Sequence, residues 1–154
     1  MITTLEPILA QHPFCKDLEP RYLKLLVGCA SNVVFQPGNV ILRRDDVADQ
    51  FYLIRSGKVA IELFVPGRGA VTVQTLSEGD ILGWSWLIPP YRATFGAQAV
   101  DVTRAFGIDG KCLRNKCGSD HDLGYELYQR VAPILVRQLE ATQVQLLDLY
   151  RTES

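Results

Sequence analysis

Hydrophobic positions change period twice along the chain. Between residues 4 and 30 they recur at helical spacing: a short piece around Ile8-Leu9, a break at His12-Pro13, then Leu18, Tyr22, Leu23, Leu26 and Val27. Asp17 is the expected N-cap, with Pro20 in the first turn, where its missing N–H costs little. From Asn32 to Ile108 the texture becomes short β-branched and aromatic runs: VVFQ, NVILRR, QFYLIRS, KVAIELFV, AVTVQTL, ATFGAQAV and VTRAFGI. Turn signals separate them, at Pro37-Gly38, Arg43-Arg44-Asp45-Asp46, Ser56-Gly57, Pro66-Gly67-Arg68-Gly69 and Glu78-Gly79-Asp80. Seven or eight such strands predict an antiparallel, closed or rolled β core. The fold class expected is α+β, one domain over residues 1–154. N-terminal helices over 1–30 and C-terminal helices over 111–151 flank an eight-strand, jelly-roll-like β-roll over 31–109.

The last segment lengthens its period again. Tyr128, Ala132, Leu135, Leu139, Thr142, Leu146 and Leu149 alternate spacings of four and three, a heptad seam. Pro133 lies inside it and is expected to kink or loosen the helix by removing one hydrogen bond. Two coverings satisfy the seam, the chain's own β core or a second copy of the same helix. The second is favoured, giving a homodimer through the C-terminal helix.

Composition narrows the classes. The 154 residues carry 16 Lys and Arg against 17 Asp and Glu, with 47% hydrophobic residues, the profile of an ordinary globular chain. That balance argues against disorder and against a strongly basic nucleic-acid binder. No apolar run approaches the roughly 18 to 20 residues that span a bilayer. The start lacks the basic region of a signal peptide, so a cytoplasmic address with reduced cysteines is expected. The four cysteines, Cys15, Cys29, Cys112 and Cys117, contain no CxxC, and only His12 and His121 could complete a metal site, so no metal is expected.

The segment from Phe35 to Leu63 orders its features distinctively: Pro37-Gly38, Val40-Ile41-Leu42, Asp45-Asp46, Phe51-Tyr52-Leu53-Ile54 and Ser56-Gly57. It resembles the first strands of the cyclic-nucleotide-binding domain of catabolite-activator-type regulators and protein-kinase regulatory subunits. Leu76-Ser77-Glu78-Gly79-Asp80-Ile81-Leu82-Gly83 is similar to that family's approach to its phosphate-binding cassette, and Tyr91-Arg92-Ala93-Thr94 to the cassette's arginine end. Arg137-Gln138-Leu139-Glu140-Ala141-Thr142 is similar to its long C-terminal helix. The resemblance covers roughly residues 12 to 150, and order and spacing carry it.

A cyclic phosphate diester bears one negative charge, so its site wants backbone N–H groups at a short helix N-terminus and one guanidinium. The resemblance implies Gly83 for close backbone approach, Arg92 and Ala93 at the phosphate, and Thr142 and Gln143 at the level of the purine base. Arg92 has other partners open to it, Asp101 or Asp80, and Thr142 could equally set helix register. Where the family has a carboxylate for the ribose hydroxyl, this chain has Trp84, followed by Ser85 and Trp86. An indole donates but does not accept, so it replaces neither the hydrogen bond nor the shape. Asp45 stands where the family commonly has a glycine of unusual backbone conformation, which Asp tolerates better than most.

No nucleophile and base, metal cluster or cofactor cradle is evident, so the chain is expected not to be an enzyme. The last residue, Ser154, follows the helix closely, so neither a helix-turn-helix domain nor DNA binding by the chain itself is expected. The function expected is a regulatory or interaction module with an altered pocket that does not bind cAMP or cGMP tightly, acting on a protein partner. The alternative is a working cAMP or cGMP sensor that signals through its C-terminal helix.

Overall fold

The alternating runs between Asn32 and Ile108 form eight strands in two antiparallel sheets. The structure is a computed structural model that describes residues 2–153; Met1 and Ser154 lie outside it. Helices α1 (Ile2–Ala10) and α2 (Pro20–Val27) precede β1 (Ala30–Phe35), β2 (Val40–Leu42), β3 (Gln50–Ser56), β4 (Val59–Val65) and β5 (Gly69–Leu76). Then come β6 (Ile81–Leu82), β7 (Gly96–Ala99), β8 (Thr103–Asp109), α3 (Gly110–Ser119) and α4 (His121–Glu153). One sheet runs β1-β8-β3-β6 and the other β2-β7-β4-β5.

Burial explains why this is a roll. Ile54, Val59, Ile61, Leu76, Leu82 and Ala97 fill the space between the sheets. On the outer face of the first sheet, Phe51, Leu53, Phe106 and Ile108 meet Leu9, Phe14, Leu23, Leu26, Leu113, Leu123, Leu127 and Val131 from the helices. A sheet covered on both faces reads as near-continuous apolar sequence, which is what β3 and β8 show. At the hairpin between β3 and β4, Gly57 has φ +101 and a Cβ there would lie 2.5 Å from the Val102 carbonyl oxygen, so only glycine fits.

Three details differ from the sequence expectations. Asp17 does not cap α2: it sits at φ 62 in the preceding turn, and the helix starts at Pro20 after Glu19, whose carbonyl accepts from Leu23 N–H at 3.0 Å. Strand β6 is only two residues long, too short to show an alternation that sequence could reveal. Cys29 and Cys112, expected as thiols, form a disulfide, whereas Cys15 and Cys117 are free. Pairing of Ala30 with Ile108 brings the two chain segments together and leaves the cysteine Cα atoms 6.0 Å apart, within bridging range.

Helix α4 runs through Pro133 as one element. Its first half is held by the chain's own core through Leu123, Leu127 and Val131. Further along the helix the apolar side chains are uncovered: Leu139 is 59% exposed and Leu146 53%, with Val136, Val144, Leu147 and Tyr150 similar. The side chain of Leu149, the last seam position, lies outside the described residues.

Candidate ligand-binding site

The segment from Gly83 to Thr94 joins β6 of one sheet to β7 of the other, so it crosses the open end of the roll. Gly83 turns the chain out of β6 at φ +92, a conformation L side chains rarely adopt. The expected short helix is absent. Residues 85–87 form a turn in which the Leu87 N–H donates to the Trp84 carbonyl at 3.1 Å, and Tyr91 N–H donates to Ile88 at 3.0 Å. Pro89 and Pro90 supply no N–H groups, so a helix could not propagate past them.

The two tryptophans part company. Trp84 is half-buried, and its indole N–H donates to Gln138 Oε1 on α4 at 3.0 Å. Trp86 belongs to the helix-side core, fully buried and stacked on Phe51 with ring centroids 4.5 Å apart and planes 9° apart. Its indole N–H has no hydrogen-bond partner among the described residues. Trp86 is thus a packing residue of the helix-side core. Ser85, between them, is buried too.

Arg92 is exposed and pairs with neither Asp101 nor Asp80; its Nη1 donates to the Asp45 carbonyl at 3.0 Å. Asp45 takes the left-handed conformation expected for a glycine-like position, φ 73. Around it the backbone is doubly tied: Asp45 N–H to the Ala93 carbonyl at 2.8 Å, and Ala93 N–H to the Asp46 carbonyl at 2.9 Å. Ala93 is buried beneath this pairing. Arg92 therefore projects from a fixed backbone, with one of its five N–H groups engaged in that bond.

Thr142 and Gln143 are exposed on α4, and the Thr142 hydroxyl donates to the Gln138 carbonyl of its own helix at 2.9 Å. One turn earlier, Gln138 meets the cassette through Trp84. Two further contacts were not anticipated from sequence. Tyr128 donates to the Leu87 carbonyl at 3.2 Å, and Arg114 Nη1 to the Trp86 carbonyl at 2.6 Å. The Arg114 guanidinium also lies 4.3 Å from the centre of the Tyr91 ring and 3.7 Å from the Asp49 carboxylate. Tyr128 was legible only as a seam position, and Arg114 gave no signal at all. Gln74, Leu76, Ile81, Ile134, Arg137 and Gln138 line a cleft of about 330 Å³ beside this junction.

Chemically the segment offers an exposed guanidinium and turn N–H groups, and at position 84 a donor instead of an acceptor. Such a fold, with such a segment bridging its sheets, is matched over residues 32–120 by the cyclic nucleotide-binding domain family. The chain belongs to that family. The domain is 25% identical over 149 residues to the CRP-like cAMP-activated global transcriptional regulator of Mycobacterium tuberculosis, covering 97% of this chain and 65% of the regulator. It thus spans about two thirds of that relative's length. It is 32% identical over 78 residues to the cAMP-dependent protein kinase regulatory subunit of Schizosaccharomyces pombe, covering 51% of the chain and 18% of the subunit. Among solved structures, a cyclic nucleotide-binding protein from Geobacter metallireducens superposes with a TM-score of 0.77 at 28% identity, covering 87% of this chain and 97% of that one. The domain of this family is not itself catalytic. No helix among the described residues is long and apolar enough to cross a membrane.

Proposed function

We propose that this domain is a regulatory module whose cassette is engaged by its own side chains, so that it binds cAMP and cGMP poorly and works through a protein contact. The observation that carries this reading is the hydrogen bond from Trp84 to Gln138, at the position where the family resemblance implies a carboxylate. A bound ribose hydroxyl left without its acceptor loses about 1 to 3 kcal/mol, roughly one to two decades of affinity. Arg92 on the Asp45 carbonyl supports the same reading.

The output surface proposed is α4. Its heptad seam is apolar apart from Thr142, and Leu139 and Leu146 are exposed beyond the part held by the chain's own core. A second copy supplies the same seam, so a homodimer through α4 covers both.

Calorimetric titration of nucleotide-stripped protein with cAMP and with cGMP tests the ligand reading. Silence up to millimolar nucleotide is expected. Micromolar binding abolished by Arg92→Ala overturns it in favour of a cyclic-nucleotide sensor, a reading supported by the exposure of Arg92 and the backbone of Gly83.

A further inference from the structure

The helix that holds the cassette is itself held by a sulfur bridge. Arg114 of α3 donates to the Trp86 carbonyl and packs on the Tyr91 ring. Helix α3 in turn is fastened to the end of α2 by the Cys29–Cys112 disulfide, by Lys116 Nζ donating to the Leu25 carbonyl at 2.8 Å, and by Asp109 N–H donating to the Cys29 carbonyl at 2.8 Å. Of these ties only the disulfide is covalent, and it alone responds to chemistry.

The two sulfurs differ in setting. Cys29 is buried, 8% exposed, at the junction of α2 and β1, whereas Cys112 is only partly buried in the first turn of α3. Lys111 precedes Cys112 and Lys116 lies one helical turn beyond it. The Asp109 carboxylate is occupied in capping the Cys112 N–H at 3.0 Å. A place in the first turn of a helix favours a thiolate, and access decides which sulfur an outside thiol reaches.

We propose that Cys29 and Cys112 form a reversible dithiol–disulfide site, with Cys112 the exchanging sulfur and Cys29 the resolving one, whose state sets how firmly α3 holds the cassette. The co-reactant is a low-molecular-weight thiol and its disulfide. In reduction, the thiolate of one external thiol attacks Cys112 Sγ, the S–S bond breaks, and Cys29 leaves as a thiolate that takes a proton. A second external thiolate then attacks the external sulfur of the mixed disulfide, releasing Cys112 and an external disulfide. Two electrons pass from the external pair to the protein pair. Oxidation runs the same steps backwards: the Cys112 thiolate attacks the external disulfide and releases one external thiolate, then the Cys29 thiolate attacks Cys112 Sγ and expels the second.

The remaining thiols are set apart from this exchange. Cys15 is buried and its thiol is pushed up to about 12, and burial raises Cys117 as well, with Asp120 adding to the rise. After reduction the Asp109 bonds to both cysteines still hold the two segments together, so the bridge can reform.

The chain has two tryptophans, Trp84 and Trp86, both in the cassette, so intrinsic fluorescence reads that segment directly. The test equilibrates the full chain in buffers of reduced and oxidised dithiothreitol, with trapping of thiols by iodoacetamide and peptide mapping. No nucleotide is present, so the result stands apart from the ligand reading above. Two thiols are expected to appear together in the folded protein, with Cys112 alkylated at least about tenfold faster than Cys29. Reduction should shift tryptophan emission in the natural protein but not in Cys112→Ser, and the shift should shrink in Arg114→Met. A bridge that resists reduction until urea unfolds the chain, equal alkylation of the two sulfurs, or unchanged emission on reduction of the natural protein overturns the proposal.

Discussion

The indole N–H of Trp84 donates to Oε1 of Gln138 at 3.0 Å, joining the cassette to α4 across 54 positions of sequence. The cassette and α4 are thereby linked by the chain's own side chains. Changing Trp84→Glu removes the link and supplies a carboxylate acceptor. Affinity for cAMP is expected to rise by roughly one to two decades, the value of a restored hydrogen bond to a buried hydroxyl. Calorimetry on the variant reads this, and a variant as silent as the natural protein shows that Trp84 is not what closes the site.

Trp86 makes a different prediction although it lies only two residues away. It is fully buried against Phe51, so Trp86→Ala should cost about 3–5 kcal/mol in urea unfolding, the range for an emptied aromatic site. Trp86→Phe keeps the stack and removes the unpartnered N–H, so its cost should be well below that of the alanine variant.

Stability should depend on His12. The ring is buried, accepting from Phe14 N–H at Nδ1 and donating from Nε2 to the Ile54 carbonyl at 3.1 Å, so the neutral form satisfies both nitrogens. A proton added at Nδ1 would confront the Phe14 N–H. Burial lowers this histidine from its ordinary 6.5, against the opposing pull of the Ile54 carbonyl and of Asp80. The unfolded chain therefore takes up a proton that the folded chain refuses. Stability is complete above the ordinary histidine value and falls as pH drops through it, until the folded group also titrates. Urea midpoints from about pH 7.5 to about pH 5 should show this loss, and His12→Gln should flatten it.

Placing charge on the exposed seam tests the α4 dimer. Leu139→Glu with Leu146→Glu leaves the chain's own core untouched, since both side chains are more than half exposed. Sedimentation should show a dimer for the natural protein and a monomer for the double variant, with the far-ultraviolet circular dichroism of the two the same. A natural protein that sediments as a monomer, or a variant that stays dimeric, rejects α4 as the contact.

Much of the architecture was legible because local periods encode it. Residues such as Phe51, Leu53 and Ile54 announce a strand buried on both faces, and the spacing of Tyr128, Leu135 and Leu139 announces a long helix. The exposure of Arg92 and the left-handed backbone of Gly83 come from the structure, where both lie between β6 and β7. Even Asp45 was legible as a residue in an unusual backbone conformation.

What local pattern could not decide is where side chains go once the chain leaves regular structure. Residues two apart share a face in a strand, but Trp84 and Trp86 sit in a turn, so one meets α4 and the other enters the core. Whether Gln138 or Thr142 faces the cassette depends on where α4 lies across the roll. That placement is set by Leu123, Leu127 and Val131 docking on a distant sheet face. The Cys29–Cys112 bridge has the same origin, because 83 residues separate the cysteines and only the pairing of β1 with β8 makes them neighbours. The sequence by itself determined the elements and the chemical inventory of the cassette. The tertiary structure alone decided which of those groups meet, because contacts between distant segments depend on how whole elements dock and leave no period in the chain.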